Sequence, residues 1–144
     1  MSRIRVMHFR REVPTGGGPE TLILGIARCI DRSRFDLSIA GLASHSPPDS
    51  GMSVGLAELD TPVVRLPVRG RLDVGVVGEL ARVLEERRID VLHTHDHRTN
   101  LIAALAVRRR PTKLVATLHQ PLRRHWWLWH LEVLDEWVVQ RFDR

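Results

Sequence analysis

Histidines end two apolar segments of this sequence. Residues 90–97 read DVLHTHDH, and residues 113–119 read KLVATLH. An apolar run that stops at histidine is typical of a buried parallel strand that delivers polar side chains to a ligand crevice. Imidazoles at such a point can hydrogen-bond a ligand or hold a metal ion. The pattern therefore places the functional residues at strand ends.

A metal site is one interpretation of the alternating His93, His95 and His97. In an extended strand these three side chains would share one face. Closed zinc sites usually have four ligands, and the sequence offers no cysteine pattern to complete such a set. Ordinary hydrogen bonding is the favoured interpretation, and no bound metal is expected.

Three consecutive glycines, Gly16, Gly17 and Gly18, precede a helical pattern that opens at Pro19. Glycine lets backbone amides approach an anion closely, and a helix dipole favours negative charge at its amino end. A diphosphate would fit there, although the same residues are equally typical of a simple flexible connection. The GxGxxG motif is absent, and no acidic residue stands at residues 40–42, so NAD is disfavoured.

Strands and helices alternate along the rest of the sequence. Apolar and β-branched runs predict strands at residues 4–9, 35–40 and 62–66, and the two histidine-ended segments predict strands four and five, the latter ending at His119. Helical spacing predicts helices at residues 19–30, 72–88, 101–106 and 126–142, with a loop at residues 44–55. Asp96 or Thr99 is expected to cap the third of these helices, and Pro111 to close it.

This alternation predicts an α/β fold with a Rossmann-like parallel sheet and helices on both faces. In the usual strand order 3-2-1-4-5, strands one and four are neighbours, and a crevice opens at their carboxyl ends. The glycine loop, residues 95–97 and His119 would meet in that crevice.

The composition predicts one cytoplasmic domain. A chain of 144 residues fits a single core, no run is apolar and long enough to span a bilayer, and the first predicted strand begins too early to leave room for a signal peptide. The net charge of +5 comes from dispersed arginines, a distribution that favours phosphate groups or anionic lipid over nucleic acid. Cys29, the single cysteine, lies among apolar residues and is expected to be a buried hydrophobe.

Four tryptophans close to Arg123 and Arg124 could rest on a membrane surface. Packing within the protein or at a domain junction is the favoured explanation of the four. They are Trp126, Trp127, Trp129 and Trp137. Peripheral contact with the inner face of a membrane stays open as a second interpretation.

The order of these motifs resembles the amino-terminal domain of family 4 glycosyltransferases, which are retaining enzymes of GT-B architecture. The motifs are GGGPET before an apolar helix, VLHTHDHRTNLIAALA, KLVATLHQ and WHLEVLDEWVVQRFDR. The resemblance covers nearly the whole chain. It implies two facing Rossmann-like domains, of which the first holds a glycan or lipid acceptor and the second binds most of a nucleotide-diphosphate sugar.

The resemblance also assigns roles to residues. Gly17 and Gly18, with Gly16 before them, match the loop near the donor diphosphate, and His119 matches the histidine that faces the transferred sugar. His95, Asp96 and His97 match the acceptor side. No metal or other cofactor is implied, since the nucleotide sugar is itself a substrate.

The sequence departs from the family after FDR, the tripeptide at residues 142–144. In relatives a further strand and the whole donor-binding domain follow, so residues 1–144 are expected to be a single domain without its last strand and without that partner. A fragment of this kind is expected to be inactive alone. Two alternatives stay open: a non-catalytic module that binds a phosphorylated ligand or a separate catalytic subunit, and an HxH metal hydrolase, which normally needs a longer chain.

Overall fold

A five-stranded parallel sheet forms the centre of the molecule. The computed structural model describes residues 2–12, 18–43, 51–70, 73–108, 110–117 and 129–143. The strands are β1 (Ile4–Arg11), β2 (Phe35–Ala43), β3 (Val63–Pro67), β4 (Val91–Thr94) and β5 (Lys113–Ala116). The helices are α1 (Gly18–Cys29), α2 (Gly51–Glu58), α3 (Gly75–Glu86), α4 (His97–Ala106) and α5 (Trp129–Val139).

The strand order is β3-β2-β1-β4-β5, and every neighbouring pair is parallel. This confirms the predicted Rossmann-like topology. The crossover connections diverge between β1 and β4, and the ladder of these two strands pairs His8 with His93 and Phe9 with Thr94. The carboxyl ends of β1 and β4 therefore lie side by side, at the point where an open α/β sheet has its crevice.

Helices pack on both faces of the sheet, over two separate hydrophobic clusters. The first cluster includes Met7 and Phe9 of β1 and Leu92 of β4, together with side chains of α3 and α4. The second cluster joins α1 and α2 to β2 and contains no residue of β4 or β5. Because side chains alternate along a strand, His8 points to the face opposite Met7 and Phe9.

One predicted loop proves to be partly helical. The composition of residues 44–55 favours a loop, yet α2 begins at Gly51, so the prediction is wrong for its last five residues. Leu56, on the last turn of α2, is completely buried in the second cluster. Packing of this kind outweighs a weak local preference against helix. Residues 44–50 lie outside the described part of the chain.

Cys29 is exposed, contrary to the prediction that it is buried. The buried face of α1 includes Ile23 and Ala27. Cys29 follows Ala27 by two residues, which is a rotation of about 200° on a helix. The thiol therefore lies on the solvent side, although its neighbours in the sequence are apolar.

Other predicted elements are confirmed with shifted ends. β1 runs two residues beyond Phe9, β2 runs to Ala43, and α3 begins at Gly75 rather than at residue 72. β5 ends at Ala116, while His119 lies outside the described residues. Among the helices that the structure describes, none has the length and apolar character needed to cross a bilayer.

Candidate functional site

Three imidazoles meet where β1 and β4 lie side by side. His8 belongs to β1, His93 to β4, and His95 to the turn after β4. Each offers a nitrogen, and the three nitrogens all lie within 4.8 Å of one another. Among the described residues this is the group of side chains suited to hold a metal ion. We call these three residues the imidazole cluster.

His8 and His95 meet edge to edge in this cluster. Nδ1 of His8 and Nε2 of His95 are 2.7 Å apart, and the two ring planes differ by 19°. The ring centroids are 5.0 Å apart, which is about two ring radii added to that N···N distance. The rings are therefore nearly in line and share a proton in a hydrogen bond, rather than stacking face to face.

His93 completes the imidazole cluster from the neighbouring strand. Its ring centroid lies 4.7 Å from that of His8 and 4.5 Å from that of His95. Its Nε2 is 2.7 Å from Oγ1 of Thr117, which follows β5, and this hydrogen bond fixes the ring. The cluster joins β1 to β4, and its bond to Thr117 extends the network to β5.

Burial favours the neutral form of His8 and His93. His8 is 2% exposed, and desolvation, together with the nearby His93, lowers the pKa of His8 to about 3. Desolvation also lowers the pKa of the partly buried His93. Neutral imidazoles have one donor and one acceptor nitrogen each, so at neutral pH both rings can take part in hydrogen bonds or bind a metal ion.

His93, His95 and His97 do not share one strand face, the arrangement on which the disfavoured metal interpretation of these three residues depends. β4 ends at Thr94, and His97 is already the first residue of α4, where its side chain is exposed. The third imidazole comes instead from His8, which is not among the predicted site residues. Its place between Met7 and Phe9, as a polar residue in an apolar strand, is a signal that could have identified it.

Asp96 holds the start of α4, as predicted for an N-cap residue. Its Oδ1 accepts a hydrogen bond from the backbone N–H of Thr99 at 3.0 Å, and the Thr99 hydroxyl accepts one from the Asp96 N–H in return. Its Oδ2 accepts from the backbone N–H of Arg11 at 3.2 Å. The same carboxylate thus caps a helix and ties the end of β1 to the end of β4.

A buried ion pair joins the end of β1 to the first turn of α1. Arg10 Nη2 lies 2.6 Å from Glu20 Oε1, and both side chains are nine-tenths buried. Burial lowers the pKa of Arg10, whereas Glu20 and Asp96 oppose that shift. Arg10 Nη1 is also buried and makes no hydrogen bond within the part of the chain that the structure describes. It is a donor at the amino end of α1, where the helix dipole favours an anion.

Glu12 forms a second ion pair above β2. Arg65 of β3 donates from Nε to Glu12 Oε1 at 3.0 Å and from Nη2 to Oε2. The carboxylate crosses β2 at Gly41, where a Cβ atom would lie 2.3 Å from Glu12 Oε1. Glycine is required there because the carboxylate passes so close to the backbone.

The predicted site residues fall into two groups. Gly18, His95, Asp96 and His97 all lie at the carboxyl ends of β1 and β4 or in the helices that follow them. Gly16, Gly17 and His119 lie outside the described residues, so their predicted meeting with His95 stays a prediction. Within the described residues, the Arg11–Asp96 hydrogen bond links the end of β1 to the connection between β4 and α4.

The sequence from residue 16 to residue 144 matches the model of one protein family, described as Glycosyltransferase Family 4. That span includes every predicted site residue. The chain belongs to this family. A search of curated proteins by sequence found no match.

Solved structures place this member of Glycosyltransferase Family 4 in the GT-B fold. The HepE protein of Anabaena, solved with UDP and glucose, matches with a TM-score of 0.74 at 18% identity, over 97% of this chain and 36% of HepE. The lipopolysaccharide outer core galactosyltransferase WaaB matches with a TM-score of 0.65 at 14% identity, over 78% of this chain and 32% of WaaB. A UDP-N-acetylglucosamine 2-epimerase matches with a TM-score of 0.68 at 12% identity, over 98% of this chain and 40% of the epimerase.

At these identities the likeness is one of fold. It confirms the predicted half of a GT-B architecture, because the family 4 chain spans 32% to 40% of the length of these solved proteins. Since an epimerase shares that half with transferases, the chemistry of this chain has to be argued from its site.

Proposed function

We propose that this chain is the acceptor-side domain of a retaining glycosyltransferase, which transfers a sugar from a nucleotide-diphosphate sugar to a glycan or lipid. The family match over residues 16–144 is the observation that carries the proposal. The site supports it, because the acceptor-side segment and the connection toward α1 are tied together by the Arg11–Asp96 hydrogen bond. A cleft between this edge and a second domain would exclude water from the transfer.

The three residues of the acceptor-side segment differ in exposure, and we propose different roles for them. The His97 side chain is exposed and is the one placed to contact an acceptor hydroxyl. His95 is 3% exposed and bonded to His8, while both carboxylate oxygens of Asp96 accept backbone hydrogen bonds. We assign His97 to binding, and His95 and Asp96 to holding the segment in place.

The donor side of the proposal rests on electrostatics. Backbone amides of Gly16, Gly17 and Gly18 at the start of α1, with Arg10 beside the first turn, would stabilise negative charge on the leaving diphosphate. His119 is assigned to the face of the transferred sugar. A donor-binding domain, on the same or a separate polypeptide, would supply the rest of the nucleotide site. No metal is needed for this chemistry. The proposal also includes a cytoplasmic location, with peripheral contact at the inner face of the membrane where the acceptor is a lipid.

The test is sugar transfer with a donor-binding domain supplied in trans. The donor is a panel of labelled UDP-sugars that includes UDP-glucose, which HepE binds, and the acceptors are oligosaccharides and polyprenyl phosphates. We expect labelled product and release of UDP. His97→Ala should raise KM for the acceptor with little change in kcat, whereas His119→Ala should lower kcat.

Arg87→Ala is the matched control. Arg87 is exposed and caps the carboxyl end of α3, at the opposite edge of the sheet, so its loss should leave both constants unchanged. Absence of transfer with every donor and acceptor, in the presence of a donor-binding domain that binds UDP, would contradict the proposal.

One observation favours a second candidate, a non-catalytic module that binds a phosphorylated ligand. Arg10 brings a buried donor to the amino end of α1, and this arrangement serves binding even without turnover. Inorganic diphosphate is the probe. Arg10→Gln should weaken its binding by at least about tenfold, the worth of a charge-assisted hydrogen bond. Arg11→Gln should not, because Arg11 contributes its backbone N–H and its side chain is exposed. Binding without any sugar transfer would select this candidate.

A further inference from the structure

The imidazole cluster is unusual in its chemistry. Its members, His8, His93 and His95, bring three nitrogens within 4.8 Å of one another, and two of the three side chains are almost completely buried. Nδ1 of His8 bonds to Nε2 of His95, and Nε2 of His93 bonds to the hydroxyl of Thr117. A convergent set of neutral imidazoles is the ligand type that zinc, nickel and cobalt ions prefer.

We propose that His8, His93 and His95 bind one divalent transition-metal ion of the zinc class. The site is independent of the proposed sugar transfer, which needs no metal. It differs from the HxHxH set of the sequence, because His8 takes the place of His97. Its consequence is structural: the ion would fasten the end of β1 to the turn after β4.

The distances are within reach of metal coordination. Zn–N bonds of about 2.0–2.1 Å in a tetrahedral site place ligand nitrogens about 3.3 Å apart. The His8–His95 hydrogen bond, at 2.7 Å, has to open slightly, and the widest separation, at most 4.8 Å, has to close. The ion and the shared proton compete for the same two nitrogens, so the hydrogen-bonded pair is the metal-free form.

The fold supplies two fixed ligands and one adjustable ligand. His8 and His93 are paired in the β1–β4 ladder, so their backbone positions are fixed relative to each other. His95 lies beyond the end of β4, so its position is not set by the β1–β4 ladder. The bond between His93 and Thr117 holds the His93 ring, as a hydrogen-bonded outer partner commonly does for a metal ligand.

The local charges permit a divalent ion. Arg10, two residues after His8, is neutralised by Glu20. Histidine binds a metal ion as the neutral imidazole, so three such ligands leave the charge of the ion in place and leave at least one coordination position for water or another oxygen ligand. His93 is the partly exposed member of the cluster.

Cobalt is the probe for this site. The whole chain, purified without a histidine tag, is titrated with Co²⁺ and followed by visible absorption, and Zn²⁺ is then added in competition. We expect one equivalent of Co²⁺ with the strong absorption of a four- or five-coordinate site, displaced by one equivalent of Zn²⁺. His93→Gln and His8→Phe should each weaken Co²⁺ binding by more than about tenfold, since loss of even an outer partner costs that much.

His97→Ala is the matched control, because it removes an exposed histidine of the same segment and should leave the absorption unchanged. Circular dichroism checks that each variant is folded, and His93→Gln, at a partly exposed position, decides the test if His8→Phe does not fold. The absence of stoichiometric Co²⁺ and Zn²⁺ binding would overturn the proposal and leave the cluster as a hydrogen-bonded group. Binding that is lost in His97→Ala but kept in His93→Gln would overturn it as well.

Discussion

At the scale of single residues, His8 makes the stability of the fold depend on pH. Its pKa is about 3 in the folded chain, against an ordinary value of 6.5, because it is buried beside His93. The unfolded chain therefore binds a proton in the window between these values that the folded chain excludes. Stability is fully present above pH 6.5 and is lost as the pH falls toward 3.

We expect the titration of His8 to lower the free energy of unfolding by about 2 kcal/mol when the pH falls from 7 to 5. Urea unfolding at the two pH values measures this difference. In His8→Gln, which cannot titrate, the difference should shrink by that amount, whatever the variant's stability at pH 7. An equal pH dependence in the two proteins would show that His8 is not the group responsible. His93 contributes with the same sign, since burial lowers its pKa too.

Gly41 is the residue on which the Glu12–Arg65 pair depends. Gly41→Ala would place a Cβ atom 2.3 Å from Oε1 of the Glu12 carboxylate, which accepts hydrogen bonds from Nε and Nη2 of Arg65. The carboxylate has to move, so we expect a loss of about 1–3 kcal/mol in the free energy of unfolding. Thermal unfolding measures it.

Gly78→Ala is the control for Gly41→Ala. Gly78 lies inside α3, and a Cβ atom there would meet nothing within 4 Å. The substitution should stabilise the chain by about 0.5–1 kcal/mol, because glycine is a poor helix former. Effects of the same sign at both positions would contradict the role given to the Glu12 carboxylate.

At the scale of the elements, Asp96 decides how α4 begins. Asp96→Ala removes the N-cap and the acceptor for Arg11, so we expect a loss of about 1–2 kcal/mol. Asp96→Asn keeps an oxygen that can cap the helix and should cost less than half as much. Denaturant unfolding compares the two variants. Equal losses would show that the negative charge matters more than the cap.

The elements themselves were largely predictable from the sequence. Apolar runs and helical spacing are local signals, and the right-handed crossover restricts the topology, so the strand order and the cap at Asp96 could be inferred. The helix at Gly51–Glu58 could not, because its support comes from packing against β2. The apolar neighbours of Cys29 in the sequence do not predict its exposure, because the rotation of the helix turns the thiol to the solvent side.

The candidate site was predicted less completely than the sheet. Its edge and the residues of the strand-four segment follow from the strand order. His8 was missed because its partners are 85 and 87 residues away, and only the register of β1 against β4 brings it opposite His93. Given that β1 and β4 are neighbours, a histidine inside β1 could have been proposed as the third imidazole. The predicted places of Gly16, Gly17 and His119 stay predictions.

At the scale of the whole molecule, the two hydrophobic clusters share one sheet and should unfold together. Trp137 belongs to α5, which packs on α4, whereas Ile39 is completely buried in the second cluster, against α1 and α2. The fluorescence of Trp137 therefore reports on a different part of the fold from Ile39. Since β2 contributes Ile39 to one cluster and Ala40 to the other, a substitution that destabilises one face of the sheet should destabilise the other face as well.

Ile39→Ala tests this coupling. The substitution should cost about 2–5 kcal/mol and lower the urea midpoint equally by fluorescence and by circular dichroism. Ala27→Gly, a smaller change in the same cluster, should shift both midpoints together by less. A fluorescence midpoint that stays in place while the circular dichroism midpoint falls would mean that α5 and its side of the sheet unfold separately. The sheet would then be two weakly coupled layers, and the imidazole cluster, which bridges β1 and β4 on the side opposite Met7 and Phe9, would depend on the α1 and α2 layer alone for its support.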